Sequence, residues 1–197
     1  MRKLFLIFPI CLILCGCLTR QKYSFKFDYK TGRAERLSYD IRSQKGIDEK
    51  DYSIERDWKS LKSGVGEDFG KEFDSDVIKP IKAELFQDGE VLSGKEIFEV
   101  QSPKAFPSKK VLLEKLHADQ DESLQFQIIN NEIFLFSTRG KEIESSNGKI
   151  IKTEKNSIVV WPEDQLVFEF TLNSKSSGGK SLLPFYLKEK EIKEKKE

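Results

Sequence analysis

Thiols and imidazoles are scarce in this chain of 197 residues. It has three cysteines, Cys11, Cys15 and Cys17, all close to the start, and one histidine, His117. One histidine without nearby cysteines supplies too few ligands for a typical zinc site. The spacing Cys15-Gly16-Cys17 is not the Cys-x-x-Cys of a redox pair, and no strand–helix unit surrounds it. Charge of a single sign is missing too. Without Arg2 and Lys3, 32 basic side chains face 33 acidic ones, mixed along the whole length. Neither half is basic enough to hold nucleic acid. Long apolar runs are limited to one, Leu4 to Leu14, too short to span a bilayer, which needs about 20 residues.

That run follows the basic start Met1-Arg2-Lys3, the n-region and h-region of a secretory signal. Leu14-Cys15-Gly16-Cys17 comes next. A small residue before a cysteine, with leucine three places before it, resembles the lipobox of bacterial lipoproteins. In that family the cysteine is acylated on sulfur, the chain is cut before it, and the new amino group is acylated too. Cys17 is the matching position; Cys15 fits badly because Leu14 precedes it. The resemblance implies a signal peptide over 1–16, lipidation of Cys17, and a membrane as partner through that lipid. Leu18, rather than Asp, after the cysteine implies the outer membrane under the enterobacterial sorting pattern. A composition rich in Lys, Glu, Phe, Ile and Ser is similar in style to small envelope lipoproteins of spirochaetes such as Leptospira. The processed chain of 181 residues would hold no free thiol and no disulfide, and is long enough for one domain with a substantial core.

Residues 17–22 read as a short tether reaching about 17 Å beyond the cysteine when extended. Tyr23, Phe25, Phe27 and Tyr29 then alternate with polar residues, and Leu37, Tyr39 and Ile41 do the same, predicting a hairpin over 23–42 around Lys30-Thr31-Gly32. Trp58, Leu61, Val65, Phe69 and Phe73 share one helical face, which Gly64, Gly66 and Gly70 weaken into a broken helix. Asp88-Gly89 predicts a second hairpin, with Pro80 placing its first strand late or at an edge. Ser108 opens a short helix that ends near His117. From 123 onward the pattern is strand and turn. "EIFLFST" is apolar on both faces and therefore central, Asn130-Asn131 and Asn147-Gly148 are turns, and "LLPFYL" is a last strand. Residues 23–187 form one domain and 188–197 a charged, flexible tail. About ten short strands with closely spaced turns predict a β-rich α+β fold, an antiparallel β-sandwich or open barrel with two short helical segments.

The catalytic inventory is thin. "SSGGKS" over 176–181 ends like a phosphate loop, but Ser174 stands where its first glycine belongs and Pro184 blocks a long helix directly after it, so the stretch reads as a flexible loop. "GVGEDFG" over 64–70 has its third glycine one place late for a dinucleotide loop. Asp74-Ser75-Asp76 and Asp119-Gln120-Asp121-Glu122 lack the glycine of a calcium loop and read as solvated turns. His117 would have to serve any Ser-His-Asp mechanism, and its place near a helix end suits the helix dipole as well. These readings point to a non-catalytic binding module on the envelope, with no cofactor and no metal. A carrier or chaperone for an apolar ligand is the alternative, and a carboxylate-based hydrolase a more distant one.

Overall fold

The computed structural model describes residues 17–45, 52–71, 73, 76–117, 124–137, 141–154, 156–174 and 178–195. The expected signal segment 1–16 and the acidic run 119–122 lie outside the described residues, as do Asp74 and Ser75. The described chain runs β1 (Cys17–Asp28), β2 (Arg33–Gln44), α1 (Ile54–Val65), β3 (Ile78–Asp88), β4 (Val91–Val100), α2 (Lys109–His117), β5 (Leu124–Ile129), β6 (Glu132–Ser137), β7 (Lys141–Ser146), β8 (Lys149–Lys152), β9 (Ser157–Pro162), β10 (Val167–Ser174), β11 (Lys180–Ser181) and α3 (Leu183–Glu194). A seven-stranded sheet has the order β3-β4-β2-β1-β10-β7, with β11 added to β2; a four-stranded sheet has the order β5-β6-β9-β8. All pairings are antiparallel, and the sheets do not close into a barrel. The fold is a sandwich-like, β-rich α+β arrangement.

Alternation drives the packing. Tyr23, Phe25 and Phe27 of β1 are buried, opposite Phe168, Phe170 and Leu172 of β10. They meet Ile133, Leu135, Val159 and Trp161 from the four-stranded sheet in one core. The hairpin between β1 and β2 turns through Gly32, at φ +75°, where a Cβ would run into the carbonyl of Val100. Along β2 the buried positions switch from 34 and 36 to 41 and 43. The switch falls at Asp40, whose φ is +53°. Beyond it, Ile41 joins Leu92, Trp58, Leu182 and Leu183 in a second, smaller core under α1 and α3.

The helix face predicted from Trp58 to Phe73 is divided between these two cores. Ser53 caps α1 by accepting the N–H of Arg56 at 3.2 Å, and the helix stops at Gly66. Trp58 and Leu61 pack in the smaller core. Phe69 and Phe73, past the stop, place their rings 5.1 and 5.0 Å from that of Phe98 in the larger one. Pro80 lies on the edge strand β3 beside a register shift, as its missing N–H requires.

Four expectations are corrected. Residues 17–22 are no free tether: Cys17 pairs with Gln44 and Leu18 with Ser43, so β1 is hydrogen-bonded from its first residue. Lys180 and Ser181, read as part of a flexible loop, pair with Ser43 and Arg42. "LLPFYL" is no strand and 188–194 no loose tail, because Leu183–Glu194 form α3. Pro184 sits in the first turn, where its fixed φ and missing N–H suit a helix. Leu183, Tyr186 and Leu187 recur at helical spacing and face the smaller core.

Candidate functional site

The two sheets present opposite outer surfaces. On the seven-stranded sheet the outward positions carry interleaved charges. Lys22 meets Glu144 at 2.9 Å, Lys95 meets Glu35 at 3.1 Å, Arg33 meets Glu35 at 2.9 Å and Lys82 meets Glu84 at 2.7 Å. Donors from Lys95 and Arg33 outweigh the upward push of burial on Glu35 and hold its carboxyl below the usual range. This is a solvated face whose charges neutralise one another.

The four-stranded sheet differs. Ile133, Leu135, Val159 and Trp161 point into the core, so Phe134, Phe136, Ile158 and Val160 point outward. Register aligns them into two rows across the strands. One runs Gln127–Phe134–Val160–Lys149, the other Gln125–Phe136–Ile158–Ile151. The rings of Phe134 and Phe136 are nearly parallel, 6.0 Å apart. Ile129 and Ile151 extend the surface at 44 % and 38 % exposure. With strands spaced about 4.8 Å apart, the four span roughly 14 Å. Among the described residues the helices pack elsewhere: α2 joins the inner core beside Phe126, and α1 and α3 cover the smaller core. A flat strip of two aromatics and several aliphatics, with Lys149 the one charge in its two rows, can hold another apolar surface by desolvation and shape.

Among the described residues, those singled out in the sequence lie apart from one another. Cys17 opens β1, with its backbone beside Gln44. His117 is 4 % exposed, at the end of α2, among the rings of Tyr23, Phe25, Phe126 and Phe170. Its Nδ1–H donates to the carbonyl of Leu113 at 2.7 Å, the carbonyl fixing which nitrogen carries the proton. Gly64 and Gly66 end α1 rather than cradle a phosphate. Asp76 is exposed, and no group of three metal-binding side chains occurs among the described residues.

Two buried polar groups escaped the sequence reading. Arg36, 2 % exposed, pairs with Glu96 at 2.9 Å, and its guanidinium lies 4.3 Å from the centre of the Phe98 ring. No signal marked it: the alternation of Leu37, Tyr39 and Ile41 puts Arg36 on the polar side, whereas the structure buries Ala34 and Arg36 and leaves Leu37 and Tyr39 half-buried. Ser43 donates to Asp57 on α1 at 2.5 Å and meets the hydroxyl of Tyr52 at 2.8 Å. Ser43 and Asp57 are fully buried, so this group ties α1 to β2 and has no access to substrate. A pocket of about 10 Å³ beside Arg20, Tyr23, Lys141 and Leu172 has room for one water. Phe25 and Phe27, rings that a carrier could have used to line a cavity, are core residues at 1 % exposure. No protein family, curated protein or solved structure matches this chain.

Proposed function

We propose that this protein is a lipoprotein of the cell envelope, anchored through lipid on Cys17, that works by binding rather than by catalysis. Its contact surface is the outer face of the four-stranded sheet, and its partner is a macromolecule with a flat apolar patch of its own. The observation that carries this reading is the contrast between the two outer faces. One sheet solvates its outward side with paired charges, while the other sets Phe134, Phe136, Ile158 and Ile151 in two rows whose one charge is Lys149. A strip this flat does not enclose a small molecule, which would need walls on several sides. The lipobox resemblance supports the anchor and an outer-membrane address.

The test is photo-crosslinking in cells that make the full chain. A photoreactive side chain replaces Phe134 in one variant and Lys26, on the charged face, in another. An adduct of discrete mass at 134 and none at 26 is expected. No adduct at either position, or equal adducts at both, refutes the surface.

A further inference from the structure

β3 and β7 end the strand order of the larger sheet and β5 and β8 that of the smaller, and three of these four carry devices that discourage further pairing. β3 has Pro80, a register shift and Lys79, Lys82 and Glu84. β7 carries Lys141, Glu142 and Glu144. β8 is only four residues long, with lysine at each end. Short strands, prolines, bulges and charges are the usual protection of a sheet edge. β5 has none of these. Its six residues, Leu-Gln-Phe-Gln-Ile-Ile, carry no charge, proline or glycine, and its register with β6 runs unbroken.

The hairpin that ends β5 fixes which backbone groups face outward. Asn130 and Asn131 have φ of 50° and 62°, and Ile129 lies opposite Glu132. That is a two-residue type I′ turn, whose flanking pair exchanges both hydrogen bonds. Alternation then turns the N–H and C=O groups of Leu124, Phe126 and Ile128 away from β6. Among the described residues they have no backbone partner. Among the described residues helix α2 packs on the inner side of β5: Leu112, Leu113 and Leu116 lie with Phe126 in the core, while Gln125, Gln127, Ile128 and Ile129 stay exposed.

We infer that β5 pairs antiparallel with β5 of a second copy of this chain, across a two-fold axis at Phe126. The strand is self-complementary in that register. Phe126 meets Phe126 of the other copy, Leu124 meets Ile128, and Gln125 meets Gln127 on the outer side. Like side chains share each face, as an isologous interface requires. About six backbone hydrogen bonds form, and no charge opposes another. The same operation on β8 would bring its lysines together. The product is an eight-stranded sheet in which the apolar outer faces of two chains are continuous. This inference does not depend on the lipid at Cys17.

The experiment uses the full chain in detergent, over a concentration series in the analytical ultracentrifuge. The expected mass rises from one chain to two with concentration. The double variant Gln125→Lys/Gln127→Lys should stay at one chain with an unchanged melting temperature, because both positions are exposed and the new charges meet only in the dimer. A second measurement fixes the register. Mixed Gln125→Cys and Gln127→Cys chains should form an oxidised cross-link that wild-type chains under the same oxidant do not. A chain that stays monomeric throughout, a lysine variant that still dimerises, or cysteines that fail to join in a dimer would each overturn the proposal.

Discussion

Asn147 joins the two sheets through one side chain. Its carbonyl oxygen accepts from Trp161 Nε1 at 2.8 Å and from the N–H of Glu169 at 3.0 Å, and its amide donates to the carbonyl of Val167 at 2.8 Å. Asn147→Ala breaks all three, and at about 1 kcal/mol each should lower unfolding free energy by roughly 3 kcal/mol in urea titration. Next to it, a Cβ on Gly148 would lie 2.6 Å from Trp161 Nε1 and from a methyl of Val159. Gly148→Ala should therefore destabilise by about 1–3 kcal/mol, measured the same way. The Asn-Gly pair was legible as a turn. That it joins strands of different sheets was not, because a turn signal reports a change of direction and says nothing of the sheet that follows. Arg36 poses the same difficulty. Alternation of Leu37, Tyr39 and Ile41 placed it outward, and the residues that let it turn inward, Glu96 and the ring of Phe98, come from a strand 60 residues away.

Helix α3 is held at its middle by Glu189, which accepts from Trp58 Nε1 at 2.9 Å and from Lys62 at 2.8 Å. Burial pushes the carboxyl up, but these two donors outweigh it and hold Glu189 below its ordinary value of 4.5. A carboxylate with a lowered folded value stabilises fully above the unfolded value and loses that contribution as pH falls through the folded one. Glu189 is about a third exposed, so solvent weakens the effect. The expected result is a change in Trp58 emission as pH falls below the carboxylate range, with α3 loosening before the rest of the fold. Glu189→Gln should remove that early change; an identical profile in the variant would show that other groups control it. The helix itself was hidden in the sequence because its apolar stretch, Leu182 to Leu187, is short and the rest is mostly charged. Five apolar residues around a proline fit a strand or a helix start equally by period, and only the surface they cover separates the two. "EIFLFST" was the converse case. Its two apolar faces correctly marked β6 as central, yet the sequence could not reveal that one of those faces is left uncovered by the helices.

Across the whole molecule, stability rests on the aromatic rows between the sheets. Phe25 and Phe27 are each 1 % exposed and packed with Phe170, Phe168 and Trp161. Phe25→Ala or Phe27→Ala should cost about 3–5 kcal/mol, a large share of the 5–15 kcal/mol typical of a domain, as read by denaturant unfolding. Attachment is tested separately. Cys17→Ser should leave the chain unprocessed and unacylated, while Cys15→Ser should change little, by mass spectrometry of the N-terminal peptide. Alternating strands made the core readable, since Tyr23, Phe25, Phe27, Leu135 and Phe170 lie where period two places them. The second core was harder to see, because the shift at Asp40 moves the buried set by one residue and no pattern announces it.

The pairing of β1 from its first residue has a mechanical side. Cys17 to Arg20 are held by β2, and from Lys22 to Asp28 the strand is clamped between β2 and β10. A pull on Cys17 along the strand axis acts at right angles to those hydrogen bonds. It loads them in shear, many at once, instead of opening them one after another like a zipper. The end of the chain that would bear the drag of a bilayer is thus sewn into the middle of the larger sheet, and tension there is shared by its two neighbours before any part of the fold gives way.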